Sequence, residues 1–127
     1  MKRFLAALCV AFAFSGVSLA EDAIGHMVFF ELKDNSPTAQ KKLVDACKKL
    51  LANHEGTLYF SAGPRDTEFQ SPFNAKDFDV ALHLVFKDKK SYDKYHDHAD
   101  HTKFVDESKE NWKGVKVFDS RVSAPAK

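Results

Sequence analysis

Two segments of this chain have the alternation of β-strands, and together they constrain the fold more than any other feature. From Ile24 to Leu32, apolar residues occupy both sets of alternate positions, so this strand requires cover on both faces. From Phe78 to Phe86, one face is wholly apolar. That face carries Val80, Leu82, Leu84 and Phe86. The two strands offer more apolar sheet than one layer of helices covers.

A helix is predicted between these strands. Ser36 followed by Pro37 is typical of a helix start, with an N-cap and a proline at the first helical position. Apolar residues follow at helical spacing and form one stripe. They are Leu43, Ala46, Cys47, Leu50 and Leu51. Cys47 is therefore interpreted as a small buried hydrophobic residue.

The other elements follow from the same patterns. Strands are predicted over 57–62 and 115–122, helices over 89–96 and about 100–112, a long loop over 63–76 and a loose tail over 123–127. Asp88 is placed to cap the first of these helices and Gly114 to end the second. The order β-α-β-β-α-β predicts an α+β, ferredoxin-like subunit with helices on one sheet face. Packing the open sheet faces of two subunits together would give a homodimeric α/β barrel.

The first twenty residues have the pattern of a cleaved signal peptide. Lys2 and Arg3 precede an apolar run over 4–14, and small residues end at Ala20. This run is shorter than the roughly 20 apolar residues of a membrane span. We therefore predict a mature domain over 21–127 that is secreted or periplasmic, with no membrane partner after cleavage.

Charge and cysteine content exclude some functions. Removal of Lys2 and Arg3 from 19 basic residues leaves 17, against 18 Asp and Glu, a formal charge of about −1. Nothing in this balance indicates a nucleic-acid partner, which requires a basic patch. Cleavage would leave Cys47 as the one thiol, which excludes an intrachain disulfide.

Two motifs carry a family resemblance. The segment Tyr95 to Phe104 reads YHDHADHTKF, with a tyrosine, two histidines and a phenylalanine each three residues apart, and 26–33 reads HMVFFELK. Both resemble motifs of the stress-responsive dimeric α/β barrel (Dabb) family, over His26 to about Val122. The resemblance implies a ferredoxin-like subunit that dimerises into a barrel.

The resemblance also implies site residues. A plant member of this family cyclises a polyketide without a cofactor, and similarity to it implies His101 as general base, Tyr95 as the hydroxyl that polarises a carbonyl, and His26 as a polar wall residue. The ligand-binding positions that follow are His98, Val80, Phe104 and Val28. We therefore expect a pocket for a small apolar or aromatic molecule, with cofactor-independent acid–base chemistry of a lyase or cyclase kind.

Two other interpretations stay open. The histidines could instead cap a break between two helical pieces, in a non-catalytic, structural or stress-related binding protein. A metal site is the other alternative, since imidazole suits zinc and copper. Its ligands would come from His96, His98 and His101, with Asp97 and Asp100 nearby. His54 and His83 have no companions in sequence and are expected at the surface.

Overall fold

The computed structural model describes residues 22–123, so the predicted signal peptide and positions 124–127 of the predicted tail lie outside the described residues. The elements are β1 (Ala23–Leu32), α1 (Pro37–Leu50), β2 (Thr57–Pro64), β3 (Val80–Phe86), α2 (Lys89–Asp97), α3 (Ala99–Ser108), a 3-10 turn (Lys109–Asn111) and β4 (Trp112–Val122). Within these residues, no helix has the length and apolar character that a membrane crossing requires.

The four strands form one antiparallel sheet in the order β2-β3-β1-β4. The two most apolar strands, β1 and β3, are its centre, where they pair from Ile24↔Phe86 to Phe30↔Val80. All three helical segments connect strands across one face of the sheet. This is the predicted ferredoxin-like topology, and the prediction of fold class is confirmed.

The core lies between the sheet and the helices. The four alternate residues of β3 that were predicted to share a face are all at most 1% exposed, and they pack with the buried stripe of α1. The buried residues of α1 are Leu43, Val44, Cys47 and Leu50, of which Val44 was not part of the predicted stripe. Full burial of one large apolar side chain contributes roughly 1.5–3 kcal/mol, so this layer is the main source of stability.

Capping residues mark where each helix starts. Ser36 accepts a hydrogen bond from the backbone N–H of Ala39, and Asp88 accepts one from Ser91, as predicted. The second helical region is broken at His98, whose backbone is extended (φ −71°, ψ 144°). The imidazole of His98 then caps α3 by accepting the N–H of Asp100 at 3.0 Å.

The predicted end of α3 is wrong. The helix ends at Ser108, and Trp112 begins β4, so Gly114 lies inside a strand and does not terminate the helix. Trp112 pairs with Leu32, and a register irregularity at Glu31/Leu32 accommodates the join. The helical spacing of Trp112 from Phe104 concealed this, because both rings pack on Phe30 from different elements.

The sheet face turned away from the helices is rich in aromatic side chains, which explains the surplus of apolar residues in the sequence. Phe29 makes edge contacts with Phe78, His83 and Phe118, with centroid distances of 5.0, 5.9 and 5.8 Å. Tyr59 and Phe118 are about half exposed on this side. No described element of the chain covers it.

Candidate functional site

A cavity of about 360 Å³ lies between the β1–β4 side of the sheet and helices α2 and α3. Its polar lining consists of His26, Tyr92, Tyr95, His96, His101 and Asp119. Its apolar lining includes Val28, Phe30, Phe104, Val105, Trp112, Val115 and Val117. An apolar cavity with a few convergent polar groups is the usual form of a small-molecule site.

His26 is the buried polar centre of this cavity, at 5% exposure. Its Nδ1 lies 2.5 Å from Oδ1 of Asp119, which stands opposite it in the β1–β4 register. The other carboxylate oxygen, Oδ2, accepts a hydrogen bond from the hydroxyl of Tyr92 at 3.1 Å. Since a carboxylate only accepts, Nδ1 of His26 carries a hydrogen, and in the neutral imidazole Nε2 then has a lone pair.

Tyr95 is almost completely enclosed, at 1% exposure, and it connects the histidines. Its ring makes edge contacts with His26, His54 and His101, at centroid distances of 5.8, 5.1 and 5.1 Å. Burial holds the pKa of the Tyr95 phenol well above its usual value. The phenol therefore stays protonated and can act only as a neutral hydrogen-bonding group.

His101 projects from the first turn of α3 and packs against His96, with ring centroids 4.8 Å apart. Burial, reinforced by the neighbouring imidazoles of His96, His26 and His54, lowers the pKa of His101 to about 4. At neutral pH this imidazole is uncharged. It can then donate one hydrogen bond and accept another.

The other predicted ligand positions lie elsewhere. Val80 is fully buried in the core and does not line the cavity. His98 also lies outside the cavity lining, at the junction of α2 and α3, where its Nδ1 accepts the N–H of Asp100. The cavity does bring together His26, Val28, Tyr95, His101 and Phe104.

The prediction that His54 is a surface residue is wrong. The ring packs against Tyr95 and His98, and Nε2 donates to the carbonyl of Leu50 at 2.8 Å. Sequence spacing gave no sign of this, because the connection from α1 to β2 folds back under α2.

Two further site residues, Asp119 and Tyr92, were not recognised from sequence. A signal for Asp119 existed: it is an acidic residue within the strand predicted over 115–122. Only the strand register identifies its partner as His26.

The suggested metal ligands do not meet. His96 pairs with His101, whereas His98 faces His54. Within residues 22–123, the His, Cys, Asp and Glu side chains that could hold a metal as a group of three or more are His54, His98 and Asp100.

The fold and an apolar cavity with histidines under the helices define a ferredoxin-like domain of the α/β barrel type. The chain belongs to the stress responsive A/B barrel domain (Dabb) family, whose model matches residues 24–122. No functionally curated protein matches the chain.

Solved structures agree with this assignment. A Dabb family protein with a ferredoxin-like fold from Mesorhizobium loti is 28% identical, with a TM-score of 0.66, over 84% of this chain and 100% of that one. A dimeric ferredoxin-like protein of unknown function from Thermobifida fusca is 18% identical (TM-score 0.67; 84% and 96% covered). The hydroxynitrile lyase of Passiflora edulis is 14% identical (TM-score 0.65; 84% and 98% covered). At 18% and 14% identity, the second and third similarities show the fold alone.

Proposed function

We propose that this protein binds a small apolar or aromatic carbonyl compound, or its cyanohydrin or aldol adduct, in the cavity between sheet and helices, and that it acts on this compound by cofactor-independent acid–base chemistry. The observation that carries the proposal is the buried imidazole of His26, paired with the partly exposed Asp119, in the wall of a cavity that His101 also lines. Burial of an ionisable group costs free energy unless it is hydrogen-bonded, and such groups cluster at functional sites.

The environments of the two imidazoles favour different roles. Asp119 fixes the ring of His26 with Nε2 free, and its carboxylate can stabilise the charge that forms when Nε2 accepts a proton. His101 has a pKa of about 4 and is a weak base, but its uncharged N–H is a good donor to a developing oxyanion. We therefore propose His26 as the base and His101 as the oxyanion donor, whereas the family resemblance implied His101 as the base and His26 as a polar wall residue.

Tyr95 and the apolar wall complete the proposed site. The protonated phenol of Tyr95 packs on both imidazoles and holds their rings at fixed angles. Phe104, Val105 and Trp112 supply the surface against which an apolar or aromatic group would pack.

A binding experiment tests the cavity first. Trp112 is the one tryptophan of the chain and lines the cavity, so its fluorescence reports on a bound aromatic ketone such as acetophenone. We expect saturable quenching in the natural protein and at least about tenfold weaker binding in Val105→Phe, which fills the cavity from its half-buried wall. His98→Asn is the matched control, because it removes a histidine outside the cavity and keeps an N-cap residue. Equal affinity in Val105→Phe and the natural protein would place the ligand elsewhere.

A reaction assay then tests the chemistry. Mandelonitrile is a suitable probe because one protein of this fold is a hydroxynitrile lyase. The base removes the hydroxyl proton, the C–C bond to the nitrile breaks as the carbonyl forms, and cyanide leaves and takes up a proton. We expect benzaldehyde release to fall about 100-fold or more in His26→Gln and His101→Asn, and to persist in His98→Asn. Binding without turnover of mandelonitrile or of aldol substrates would leave the non-catalytic binding protein as the function.

The assembly and location form part of the proposal. The aromatic open face of the sheet supports a homodimer in which two such faces meet, and several proteins of this fold are described as dimeric. The N-terminal pattern supports export and cleavage after Ala20. N-terminal sequencing of the protein recovered from periplasm or medium tests this: a first residue of Glu21 is expected, and a retained Met1 would contradict it.

A further inference from the structure

A second group of ligand atoms lies outside the cavity lining, where the α1–β2 connection meets the junction of α2 and α3. It consists of His54, His98 and Asp100, each with one ligand atom within 4.8 Å of the others. The two imidazole rings are in edge contact, with centroids 4.7 Å apart. The group is distinct from the His26 and His101 site, although Tyr95 contacts both.

His54 is prepared to act as a ligand. Its Nε2 lies 2.8 Å from the carbonyl oxygen of Leu50, which can only accept, so Nε2 carries a hydrogen and in the neutral imidazole Nδ1 has the lone pair. A backbone carbonyl that fixes the tautomer of a histidine in this way is typical of metal sites. Leu50 is the last residue of α1, and the carbonyls at a helix C-terminus favour a nearby cation.

The helix break brings the other two ligands together. Because His98 has an extended backbone, its Nδ1 comes within 3.8 Å of Oδ2 of Asp100. Both side chains are about half exposed (51% and 50%), so they can rotate to the roughly 3.3 Å ligand separation of tetrahedral coordination at about 2.0 Å. Coordination through Nδ1 would displace the hydrogen bond from the Asp100 N–H, and this N–H would then bond to water.

The positive charge of Lys94, near the cluster, is paired with a carboxylate. Lys94 lies one helical turn before His98 and is paired with Glu55 at 3.3 Å. The carboxylate of Asp100 then supplies the negative charge that a divalent ion requires.

We propose that His54, His98 and Asp100 bind a borderline divalent transition-metal ion, with Zn²⁺ as the best match and water completing the coordination. Two imidazoles and one carboxylate are a recognised ligand set for zinc, whereas Mg²⁺ and Ca²⁺ prefer oxygen ligands alone. The site would give a role to His98, the histidine of the 95–104 motif that does not line the cavity.

Zinc titration of the protein, expressed from the full-length sequence without a histidine tag, tests the site. Isothermal titration should give one Zn²⁺ per chain, with no comparable heat from Mg²⁺. His98→Asn and Asp100→Asn should each weaken Zn²⁺ binding by at least about tenfold, and the former retains an N-cap residue so that α3 still forms. In NMR spectra, the ring signals of His54 and His98 should shift on addition of Zn²⁺.

His96→Asn is the matched control, because His96 pairs with His101 and lies outside the cluster. It should leave Zn²⁺ affinity unchanged. The proposal is overturned if Zn²⁺ does not bind, if His98→Asn and Asp100→Asn bind it as the natural protein does, or if His96→Asn alone abolishes binding.

Discussion

A single pairing of residues across two strands determines the polarity of the cavity. His26 on β1 and Asp119 on β4 are register partners, so both side chains point to the helix side of the sheet. A slip of one residue in this register would turn Asp119 to the open face and leave a buried imidazole without its acceptor. The register of the edge strand β4 therefore decides whether His26 has its acceptor inside the cavity.

Replacement of this acceptor tests the pairing. Asp119→Asn presents an amide that can no longer accept from both His26 and Tyr92 as the carboxylate does. We expect the free energy of unfolding at pH 7 to fall by about 1–2 kcal/mol, because Asp119 is partly exposed and its charged hydrogen bonds are correspondingly weakened. Urea denaturation measures this loss. Asp77→Asn is the control, since it removes an exposed ion pair with Lys116, and it should lower the stability less than Asp119→Asn does.

The pKa of His101 predicts a pH dependence of stability. It is about 4 in the folded protein, below the 6.5 of an unperturbed imidazole, so between these values the unfolded state binds more protons. Stability should therefore fall as pH decreases from about 6.5 to 4, by about 1 kcal/mol after allowance for solvent screening of this half-buried group. Comparison of urea denaturation of the natural protein and His101→Asn at pH 7 and 4.5 measures this. An equal decrease in both proteins would contradict it.

At the scale of the elements, the connection between α1 and β2 packs closely against α2 at one glycine, Gly56. Gly56 has φ +85°, and a Cβ there would lie 2.1 Å from Oγ and 2.5 Å from Cβ of Ser91, which is buried at the start of α2. Gly56→Ala should lower the free energy of unfolding by about 2–4 kcal/mol, from left-handed strain and this clash. Gly63→Ala is the matched control, because its Cβ would meet nothing within 4 Å. A similar effect of the two substitutions on the urea midpoint would show that Gly56 is not constrained.

At this scale the sequence predicted most of the fold, because the dominant signals were local. Alternation identified β1 and β3, and the caps Ser36 and Asp88 fixed two helix starts. The helix was predicted to extend to Trp112 because Trp112 lies at helical spacing from Phe104. The two rings do pack together, but Trp112 reaches this contact from the start of β4. Tertiary packing, which local periodicity does not contain, decided between helix and strand.

The site was less accessible to sequence reasoning. His26, Tyr95 and His101 were recognised through the family motif, and the structure brings them into one cavity. The role of Asp119 depends on strand register, and that of His54 on a loop that returns beneath α2. Both are long-range relations, and no residue near either in the sequence signals its partner.

At the scale of the whole molecule, the open sheet face predicts the oligomeric state. Phe118 is 57% exposed on this face and contacts Phe29, so a charge there would be buried in a dimer of facing sheets. Phe118→Asp should convert a homodimer to a monomer in light scattering at micromolar concentration. Phe73→Asp is the control: Phe73 is 94% exposed in the β2–β3 loop, away from the sheet, and its substitution should leave the dimer intact. A monomeric natural protein would contradict the proposed assembly.

The burial of Cys47 keeps its thiol from forming disulfide bonds between chains. The side chain is fully enclosed beneath the sheet, and burial raises the pKa of its thiol to about 12, so almost no thiolate forms. Disulfide exchange proceeds through thiolate, and an unpaired cysteine in an oxidising compartment otherwise cross-links chains at random. In such a compartment, the folded core would protect the Cys47 thiol from exchange, and covalent aggregates would form from chains that fail to fold.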